Sequence, residues 1–237
     1  MNGVVKAFAN RATFRIVSNE PLYGLDAMPH VIVKPLLRSW YGEVLYNIKF
    51  MKAIRKVIRE FNPDFVYHRF SGYSCATAKV CKQMKVPLIL EYNSSDLWKN
   101  RYWSQKDLKA KMTNCFRLPI LKILEPFIIR NAARIAVVSE PLKKSLIELG
   151  IESDKVFVNP NGVDTVKFKP ETDTNRINEI MKKFNIPDRK IIVGFTGTYG
   201  PWHGIQDLLL AIKKVLSIDE WNDKIISVSY THLTLPT

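Results

Sequence analysis

Short runs of apolar residues alternate along the chain with segments whose apolar residues recur every three or four positions. The short runs predict buried strands at 14–17, 31–33, 65–67, 86–90, 134–138, 156–158 and 191–195. The periodic segments predict helices at 46–61, 74–84, 121–131, 140–149, 174–184 and 205–216. Strands that alternate with amphipathic helices favour an α/β fold, because each helix connects two parallel strands and covers a face of their sheet. We therefore expect a Rossmann-like, doubly wound parallel sheet.

The segment 46–61 shows how this pattern defines an element. Its apolar residues fall on one helical face, which we expect to be buried: Ile48, Met51, Ile54, Val57 and Ile58. Asn62, Pro63 and Asp64 then end the helix, as Gly150 ends the helix at 140–149. Ligands of parallel sheets bind at the carboxyl ends of the strands. Residues that directly follow a strand are therefore the candidates for chemistry.

Composition excludes several classes of protein. Apolar residues make up 46% of the 237 residues, which is too high for an intrinsically disordered chain. The three cysteines (Cys75, Cys81 and Cys115) lack the spacing of a disulfide scaffold or a zinc site, and we interpret them as reduced thiols of a cytosolic protein. The longest apolar stretch, 118–129, contains Lys122 and Glu125 and is too short to span a bilayer.

Positive charge is concentrated in the first half of the chain. Residues 1–130 contain 22 basic and nine acidic residues, whereas residues 131–237 contain 14 and 13. The excess favours an anionic partner such as nucleic acid, anionic lipid or a phosphorylated substrate, with a solubilising surface as the alternative.

Two basic stretches are candidates for that partner. The first lies between Lys49 and Arg59, and the second, between Trp98 and Lys122, also contains the aromatic residues Tyr102 and Trp103. Cations mixed with aromatic residues suit a membrane interface, a glycan acceptor or nucleic acid, and a solvated helix face is the plain alternative. We expect no nucleic acid, because no helix-turn-helix, zinc-finger or aromatic RNA-binding motif occurs.

Both ends of the sequence look altered. Residues 228–237 correspond to one reading frame of a transposase-type sequencing adapter, so we interpret them as a library scar; a natural strand at 225–230 is the alternative. At the other end, residues 4–11 read as the end of a helix, without the strand and glycine loop that usually open an α/β domain. We therefore expect a fragment of a longer protein.

The clearest motif extends from Val137 to Pro170. It begins with a predicted strand, Ser139 and Glu140, continues with a predicted helix that ends at Gly150, and then reaches a second predicted strand. The sequences Asn159-Pro-Asn-Gly-Val-Asp164 and Phe168-Lys-Pro170 follow this strand. Asn161 and Gly162 favour a turn with positive φ, and Asp164 can accept a hydrogen bond from the backbone after it. The whole string resembles the interdomain crossing of the retaining glycosyltransferases of family four, which have the GT-B fold.

A glycine-rich loop follows the strand at 191–195 and opens the next helix. Gly197, Gly200 and Gly204 would let the backbone approach a ligand, and the helix N-terminus offers N–H groups to an anion. The loop resembles the start of the family's second domain, where an Arg and a Lys bind the donor phosphates. This sequence departs from that pattern, because Thr198 and His203 occupy the two positions. The resemblance implies a donor site at Gly197, Thr198, Gly200, His203, Gly204, Asn161 and Gly162.

Two earlier strands end in polar residues. Their ends resemble the cleft-lining strand ends of the family's first domain, which implies acceptor-side roles for His68, Arg69, Asn93 and Ser94. Asn93 stands near the position where the family often has a His, and it can donate and accept hydrogen bonds but cannot act as an acid or base. We interpret Glu91 as a structural partner of Arg69 or another cation rather than as a catalytic group.

The resemblance implies the following organisation and activity. Residues 1–165 would form an incomplete acceptor-side domain, 166–227 the start of the donor-side domain and 228–237 the scar. The full-length parent would be a cytoplasmic, hexosyltransferase-type enzyme, peripheral at the inner face of the membrane. It would transfer a sugar with retention from a nucleotide-diphosphate sugar to a glycan or lipid-linked acceptor, in polysaccharide or glycolipid biosynthesis.

The same resemblance implies no metal and no cofactor besides the donor substrate. The family's Glu-x7-Glu carboxylate pair does not occur in this chain, so we expect the chain itself to be inactive. Nucleotide-sugar epimerases share the fold but lack the Pro-Asn-Gly-Val-Asp crossing. The non-enzymatic alternative is a basic module that binds anionic membrane or nucleic acid.

Overall fold

The computed structural model describes residues 2–8, 11–22, 28–35, 39–102, 108–166, 168–187, 190–197, 203–222 and 224–230. The chain divides into two compact units, Met1–Asn161 and Gly162–Thr237. This division falls four residues before the boundary that the sequence predicts at 165/166.

The first unit follows the expected alternation of strands and helices. Its strands are β1 (Ile16–Ser18), β2 (His30–Ile32), β3 (Val66–Arg69), β4 (Leu88–Tyr92), β5 (Arg134–Val137) and β6 (Val156–Val158). Its helices are α1 (Asn2–Phe8), α2 (Trp40–Phe61), α3 (Ala76–Met84), α4 (Asp96–Tyr102), α5 (Leu108–Arg130) and α6 (Glu140–Glu148), and a 3-10 turn covers Ser153–Lys155.

The strands of this unit form two separate parallel sheets. Among the described strands, β3, β4, β5 and β6 are hydrogen-bonded in that order, and β1 pairs with β2 in a separate sheet. In β4, Leu88, Leu90 and Tyr92 alternate with half-buried residues, and these three side chains lie in the core. Helices α2, α3, α5 and α6 contribute further buried residues, among them Ile54, Val80, Ile128 and Leu146.

Local sequence explains the limits of the helices. The Ser39 side chain accepts a hydrogen bond from the Gly42 amide at the start of α2, and Asn62 ends the helix in the left-handed conformation with a φ of 47°. Gly150 adopts a φ of 82° directly after α6, which confirms its predicted role at the helix end.

α5 is longer than the sequence predicts, and α4 was not predicted. α5 begins at Leu108, well before the expected start at 121, and it contains Pro119 and Pro126. A proline usually ends or kinks a helix, since it removes a backbone donor, and here both lie inside a helix that packs on the core. α4 begins at Asp96, two residues before the basic segment from Trp98 to Lys122, and extends into it as far as Tyr102.

An open groove separates the two sheets of the first unit. It has a volume of about 1040 Å³ and is lined by strand residues of both β1 and β3, with α1 and α2 contributing apolar side chains such as Val5 and Val57. The buried residues divide at the same place: Val5 and Ile16 form a small cluster apart from the main core. The groove therefore lies where one parallel sheet would otherwise be continuous.

The second unit contains less sheet. It consists of α7 (Thr174–Lys183), β7 (Ile191–Thr196), α8 (Ile205–Leu216), α9 (Asp219–Asn222) and β8 (Ile225–Tyr230), with β7 and β8 parallel. β8 was the alternative interpretation of 225–230, and its last three residues pair with Gly194, Phe195 and Thr196. Residues 231–237, the remainder of the predicted scar, lie outside the described residues.

The described residues include neither a helix suited to span a membrane nor a cluster suited to bind a metal. None of the described helices is both long enough and apolar enough to cross a lipid bilayer. The described His, Cys, Asp and Glu side chains form no group of three or more that could hold a metal ion. Cys75, Cys81 and Cys115 are free thiols.

Candidate functional site

Glu91 is the centre of a polar cluster at the carboxyl ends of β3 and β4. Its carboxylate accepts hydrogen bonds from the Tyr67 hydroxyl at 2.8 Å and from Asn93 Nδ2 at 2.9 Å. Arg69 Nε lies 3.7 Å from Glu91 Oε1, which confirms the predicted pairing of Glu91 with Arg69. The carboxylate is thus held by three neighbours on two adjacent strands.

Strand register brings these groups together. Arg69 is the direct partner of Glu91 in the parallel pairing of β3 with β4. Tyr67 lies two residues before Arg69, so both side chains are on the same face of β3. Burial and the hydrogen bond to Glu91 raise the pKa of the Tyr67 hydroxyl, which therefore remains a donor at neutral pH.

His68 and Asn93 each retain a buried polar atom without a hydrogen-bond partner. These atoms are His68 Nδ1 and Asn93 Oδ1. The Asn93 amide is oriented by Glu91, because only its NH₂ group can donate to the carboxylate, and this leaves the oxygen unpaired. Buried polar atoms normally have hydrogen-bond partners, so these two atoms are the candidates for contact with a ligand.

Burial keeps the His68 ring neutral. It lowers the pKa of His68 from its usual value of 6.5 to about 4. A neutral imidazole has one nitrogen that donates and one that accepts a hydrogen bond. His68 alternates with Tyr67 and Arg69 along β3, so its ring lies on the opposite face of the sheet from Glu91, whereas Asn93 lies beside the carboxylate.

The loops after β3 and β4 are joined to each other. Gly72 N donates to Asp96 Oδ2 at 2.8 Å, and a Cβ at Gly72 would lie only 2.6 Å from Leu121 Cδ2. Any larger residue at Gly72 would require the Leu121 side chain on α5 and the Asp96 side chain to shift. Ser94, predicted to lie on the acceptor side, is half-buried in the turn between Asn93 and α4.

The predicted crossing turn is exposed. Asn161 and Gly162 follow β6, and their conformations differ from the expectation, because neither has a positive φ. The predicted backbone contact of Asp164 is confirmed, since its carboxylate accepts a hydrogen bond from the Val166 amide at 3.0 Å. The turn is therefore stabilised by Asp164 rather than by a left-handed Asn-Gly pair.

The described part of the glycine-rich loop has a specific backbone shape. Gly197 has a φ of 150° and Gly204 a φ of 62°, and Gly204 precedes the first turn of α8. The His203 ring lies over Gly197, at 3.4 Å from the position that a Cβ would take, and contacts the Phe195 ring edge-to-face. Thr198 and Gly200, two other predicted donor-site residues, lie outside the described residues.

The N-terminus of α8 already has an acidic neighbour. Asp207 lies in the first turn, and its carboxylate is 3.8 Å from the Cβ position of Gly204. A carboxylate at this position interacts favourably with the helix dipole, and it therefore reduces the positive electrostatic potential that a bound phosphate would experience. His203 is exposed and is the described side chain at this loop that can donate to an anion.

The basic segment between Trp98 and Lys122 is partly used within the fold. Lys99 forms an ion pair with Asp96 at 3.0 Å, and Arg117 Nε donates to the Tyr73 hydroxyl at 3.0 Å. Trp98 and Lys122 are exposed. Trp103 and Lys106 lie outside the described residues, so the segment as a whole remains a predicted binding surface.

Sequence reasoning missed Tyr67 and the central position of Glu91. Both residues lie in the strand segments that resemble the family's first domain, but their contact depends on strand register, because they are 24 positions apart in the sequence. The available signal was the Tyr-x-Arg pattern at the end of β3, which places a hydroxyl and a cation on one face.

Comparisons with solved structures show the fold. The structure of HepE (Alr3699) from Anabaena in complex with UDP matches with a TM-score of 0.57 and 14% identity, over 97% of this chain and 64% of the other. A putative UDP-N-acetylglucosamine 2-epimerase from Listeria monocytogenes matches with a TM-score of 0.55 and 14% identity, over 97% and 57%. HepE with UDP-glucose matches with a TM-score of 0.56 and 13% identity, over 96% and 63%.

This chain therefore spans about three fifths of the length of the structures that it matches. No curated protein sequence gives a significant match.

The predicted α/β fold of the GT-B type is confirmed. The described unit with the Glu91 cluster also lies within a sequence match to a family model, which is described as Glycosyltransferase Family 4 and covers residues 5–167. Because this match covers more than half of the 237 residues, the chain belongs to Glycosyltransferase Family 4.

Proposed function

We propose that this chain is part of a glycosyltransferase that transfers a hexosyl group, with retention, from a nucleotide-diphosphate sugar. The acceptor is a hydroxyl of a glycan or lipid-linked glycan, in polysaccharide or glycolipid biosynthesis. The family match over residues 5–167 carries this proposal, because it covers the unit that contains the Glu91 cluster. The Anabaena HepE structures, which contain UDP or UDP-glucose, support a nucleotide-sugar donor.

Uncharged polar atoms at the ends of β3 and β4 suit an acceptor hydroxyl. A sugar hydroxyl donates one hydrogen bond and accepts others, and Asn93 Oδ1 is a buried acceptor without a partner. Arg69 holds Glu91 in place and remains largely exposed. We assign His68, Arg69, Asn93 and Ser94 to the acceptor side on this basis.

The second unit supplies the donor-side groups in this proposal. Departure of a nucleoside diphosphate leaves negative charge on the phosphate oxygens, which N–H groups at a helix N-terminus and polar side chains stabilise. Gly197, Gly204 and His203 frame the start of α8. We also assign Thr198, Gly200, Gly162 and, at the end of the first unit, Asn161 to donor binding. The proposal needs no metal and no further cofactor.

Competition binding tests the donor site in the chain as it stands. We expect UDP to displace a fluorescent UDP-sugar from the 237-residue chain. The affinity of the chain for the UDP-sugar should fall only modestly between 50 and 200 mM salt, as expected for about two phosphate contacts. His203→Ala weakens binding by about tenfold, as expected for loss of one hydrogen bond to a charged group. Gln206→Ala, an exposed neighbour on α8, is the control and leaves binding unchanged.

Other results would contradict this assignment. Equal losses in the two variants would remove His203 from the site. A steep loss of all binding with salt, without competition by UDP, would instead identify the basic module that binds anions non-specifically. Sugar transfer by the purified 237-residue chain would contradict our proposal that this piece is inactive without the family's carboxylate pair.

A membrane contact through the outer face of α2 extends the proposal to a lipid-linked acceptor. Ile48 was predicted to be buried, but its side chain is 60% exposed. Tyr41 and Leu45 on the same helix are also exposed, at 50% and 56%. The spacing of three and four residues places these side chains on one helical stripe. The same stripe continues with exposed Lys52, Lys56 and Arg59.

This stripe combines an apolar half with a cationic half. Between residues 49 and 85 the chain contains nine basic residues and two acidic ones. Such a helix can place its apolar side chains among lipid tails and its cations at anionic headgroups. We propose that α2, with the segment from Trp98 to Lys122, rests on the inner face of an anionic membrane.

Vesicle flotation separates the two halves of the stripe. The chain floats with vesicles that contain anionic phosphatidylglycerol and not with neutral phosphatidylcholine vesicles. Lys52→Gln with Lys56→Gln reduces vesicle binding, measured as flotation, by about 30-fold, at about 1 kcal/mol per charge. Leu45→Ser with Ile48→Ser reduces it comparably, whereas Glu171→Gln, in the second unit, has no such effect. Equal flotation with anionic and neutral vesicles would contradict the proposed attraction between the cations of α2 and anionic headgroups.

A further inference from the structure

Gly162, in the exposed turn after β6, is not required by the local backbone. Its φ is not positive, and a Cβ built at this position would meet no heavy atom within 4 Å. Gly150 and Gly204, in contrast, have a positive φ, and Gly72 has no room for a side chain. Conformation and packing therefore do not explain why residue 162 lacks a side chain.

The missing side chain leaves the peptide nitrogen after Asn161 accessible. Asn161, Gly162 and their neighbours Pro160 and Val163 are all exposed. In the part of the chain that the structure describes, neither the Gly162 N–H nor the Asn161 side-chain amide makes a hydrogen bond. The Asn93 amide, in contrast, is held by Glu91. The two amide groups of the turn are thus free to approach each other.

An asparagine that is followed by glycine can react with its own backbone. The Gly162 nitrogen gives its proton to water or hydroxide and attacks Cγ of Asn161, so that a bond forms between these two atoms. The bond between Cγ and Nδ2 breaks, and Nδ2 takes up a proton and leaves as ammonia. The product is a five-membered succinimide ring. A side chain at residue 162 would crowd this attack, whereas glycine has no Cβ and permits it.

Water then opens the ring at one of its two carbonyl carbons. Attack at Cγ breaks the new bond and gives aspartate at residue 161. Attack at the main-chain carbonyl carbon breaks the original peptide bond and gives isoaspartate, in which the chain continues through Cγ. Either product replaces a neutral amide by a carboxylate, which is ionised at neutral pH. Water is the only reactant that the sequence of steps consumes.

We propose that Asn161 is a site of spontaneous deamidation and that the product has a lower affinity for nucleoside diphosphates. The second part rests on the proposed function, which assigns Asn161 to donor binding. A carboxylate at residue 161 would repel the diphosphate and weaken its binding by about fivefold, the effect of two like charges about 4 Å apart in water. Donor binding would therefore decline as the protein ages.

Mass spectrometry of the 237-residue chain tests the modification without reference to donor binding. The folded chain is kept in a mildly alkaline buffer, and the tryptic peptide of residues 156–167 is analysed over time, with unaged protein as the background. We expect Asn161 to be converted to aspartate and isoaspartate, which chromatography separates. Asn159 in the same peptide is an internal control, because the next residue, Pro160, has no N–H with which to attack.

Gly162→Ala is the matched variant, because the structure has room for the added methyl group. It should slow deamidation of Asn161 by about tenfold or more, which corresponds to a barrier higher by about 1.4 kcal/mol. It should not lower the thermal midpoint, because the position needs neither a positive φ nor the space. Deamidation at the same rate in this variant would overturn the proposed route through the Gly162 nitrogen.

The other Asn-Gly pair of the sequence, Asn2–Gly3, separates the effect of structure from that of sequence. It lies in α1, so its backbone must leave the helical conformation before the ring can close. In the folded chain Asn161 should therefore react faster than Asn2, and in urea the two rates should become similar. Equal rates in the folded chain, or an unchanged Asn161, would overturn its assignment as the modification site.

Asn161→Asp tests the effect on donor binding separately. In competition with UDP, its affinity for a fluorescent UDP-sugar should be about fivefold lower than that of the unaltered chain. Asn178→Asp, which adds the same charge at an exposed position of α7, should leave the affinity unchanged. Equal affinities of the Asn161→Asp variant and the unaltered chain would overturn the second part and remove Asn161 from the donor site. The mass-spectrometric result would still decide the first part.

Discussion

The two units have similar sequence patterns but very different interiors. The first unit buries a continuous cluster of apolar side chains around a four-stranded parallel sheet. In the second unit none of the described residues is buried, although α8 is amphipathic and β7 is almost wholly apolar. Leu209 and Leu210 of α8 and Ile191 and Ile192 of β7 remain largely exposed. Amphipathic patterning therefore specifies helices and strands in both units, but a core forms only where a sheet wide enough to be covered is present.

Strand number accounts for this difference. A parallel sheet is normally covered by helices on both faces, and two strands offer too little surface for that. β7 and β8 alone cannot bury both α7 and α8. We therefore expect the free energy of unfolding to reside mainly in the first unit, with the second unit opening locally at low cost.

Truncation of one leucine in each unit gives the largest expected contrast. Leu90→Ala removes a fully buried side chain of β4 and should lower the free energy of unfolding by about 3 kcal/mol, within the usual range of 2–5. Leu210→Ala, at a position that is 66% exposed, should change it by less than about 0.5 kcal/mol. Urea unfolding followed by circular dichroism measures both. Similar losses would show that the second unit has a core of its own.

Acid should affect the first unit through His68. Its pKa is lowered to about 4 in the folded chain and is about 6.5 when unfolded, so between these values the unfolded state binds the extra proton. Stability is therefore complete above pH 6.5 and falls toward pH 4, by an amount on the order of 3 kcal/mol. His68→Gln should flatten this part of the curve of unfolding free energy against pH. A variant with the same pH dependence as the unaltered chain would exclude His68 as its source.

A buried and an exposed glutamate sharpen the comparison further. Glu125 is buried and accepts hydrogen bonds from the Tyr92 hydroxyl at 2.7 Å and the Leu97 amide at 2.8 Å. Glu125→Ala removes the acceptor of the buried Tyr92 hydroxyl and of the partly buried Leu97 amide, and it should cost about 1–3 kcal/mol of unfolding free energy. Glu220→Ala breaks only an exposed pair with Lys224, so its expected effect is below about 0.5 kcal/mol. Equal effects in urea unfolding would contradict the assignment of Glu125 to the core.

The sequence predicts the order of elements well and the contacts between strands poorly. Helices 140–149 and 205–216 and strands 134–138 and 156–158 appear within a residue or two of their expected limits, because each has its own periodicity or end signal. The helix predicted at 121–131 is part of the longer α5, which begins at Leu108 and contains Pro119 and Pro126 without ending at either. Local signals determine the elements, and tertiary packing determines how far they extend.

The candidate site shows the same limit. Arg69 with Glu91 was anticipated from complementary charge, and His68 and Asn93 from their position after strands. Tyr67 was missed, because its contact with Glu91 requires the register of β3 against β4. The gap between β1 and β3 is likewise a property of strand order, which no local pattern along the chain reveals.

The smallest expected effect distinguishes global from local unfolding. Ser39 caps α2 in the first unit, and Asp173 caps α7 in the second by accepting from the Asn175 and Arg176 amides. Replacing either by Ala should weaken its own helix by about 1 kcal/mol. Because α2 packs on the core and α7 buries no residue, Ser39→Ala should shift the main unfolding transition by about 3 °C, whereas Asp173→Ala should leave it in place. Asp173→Ala should instead speed hydrogen exchange in α7 by several fold, and an equal shift of the main transition by both variants would show that the two units unfold as one.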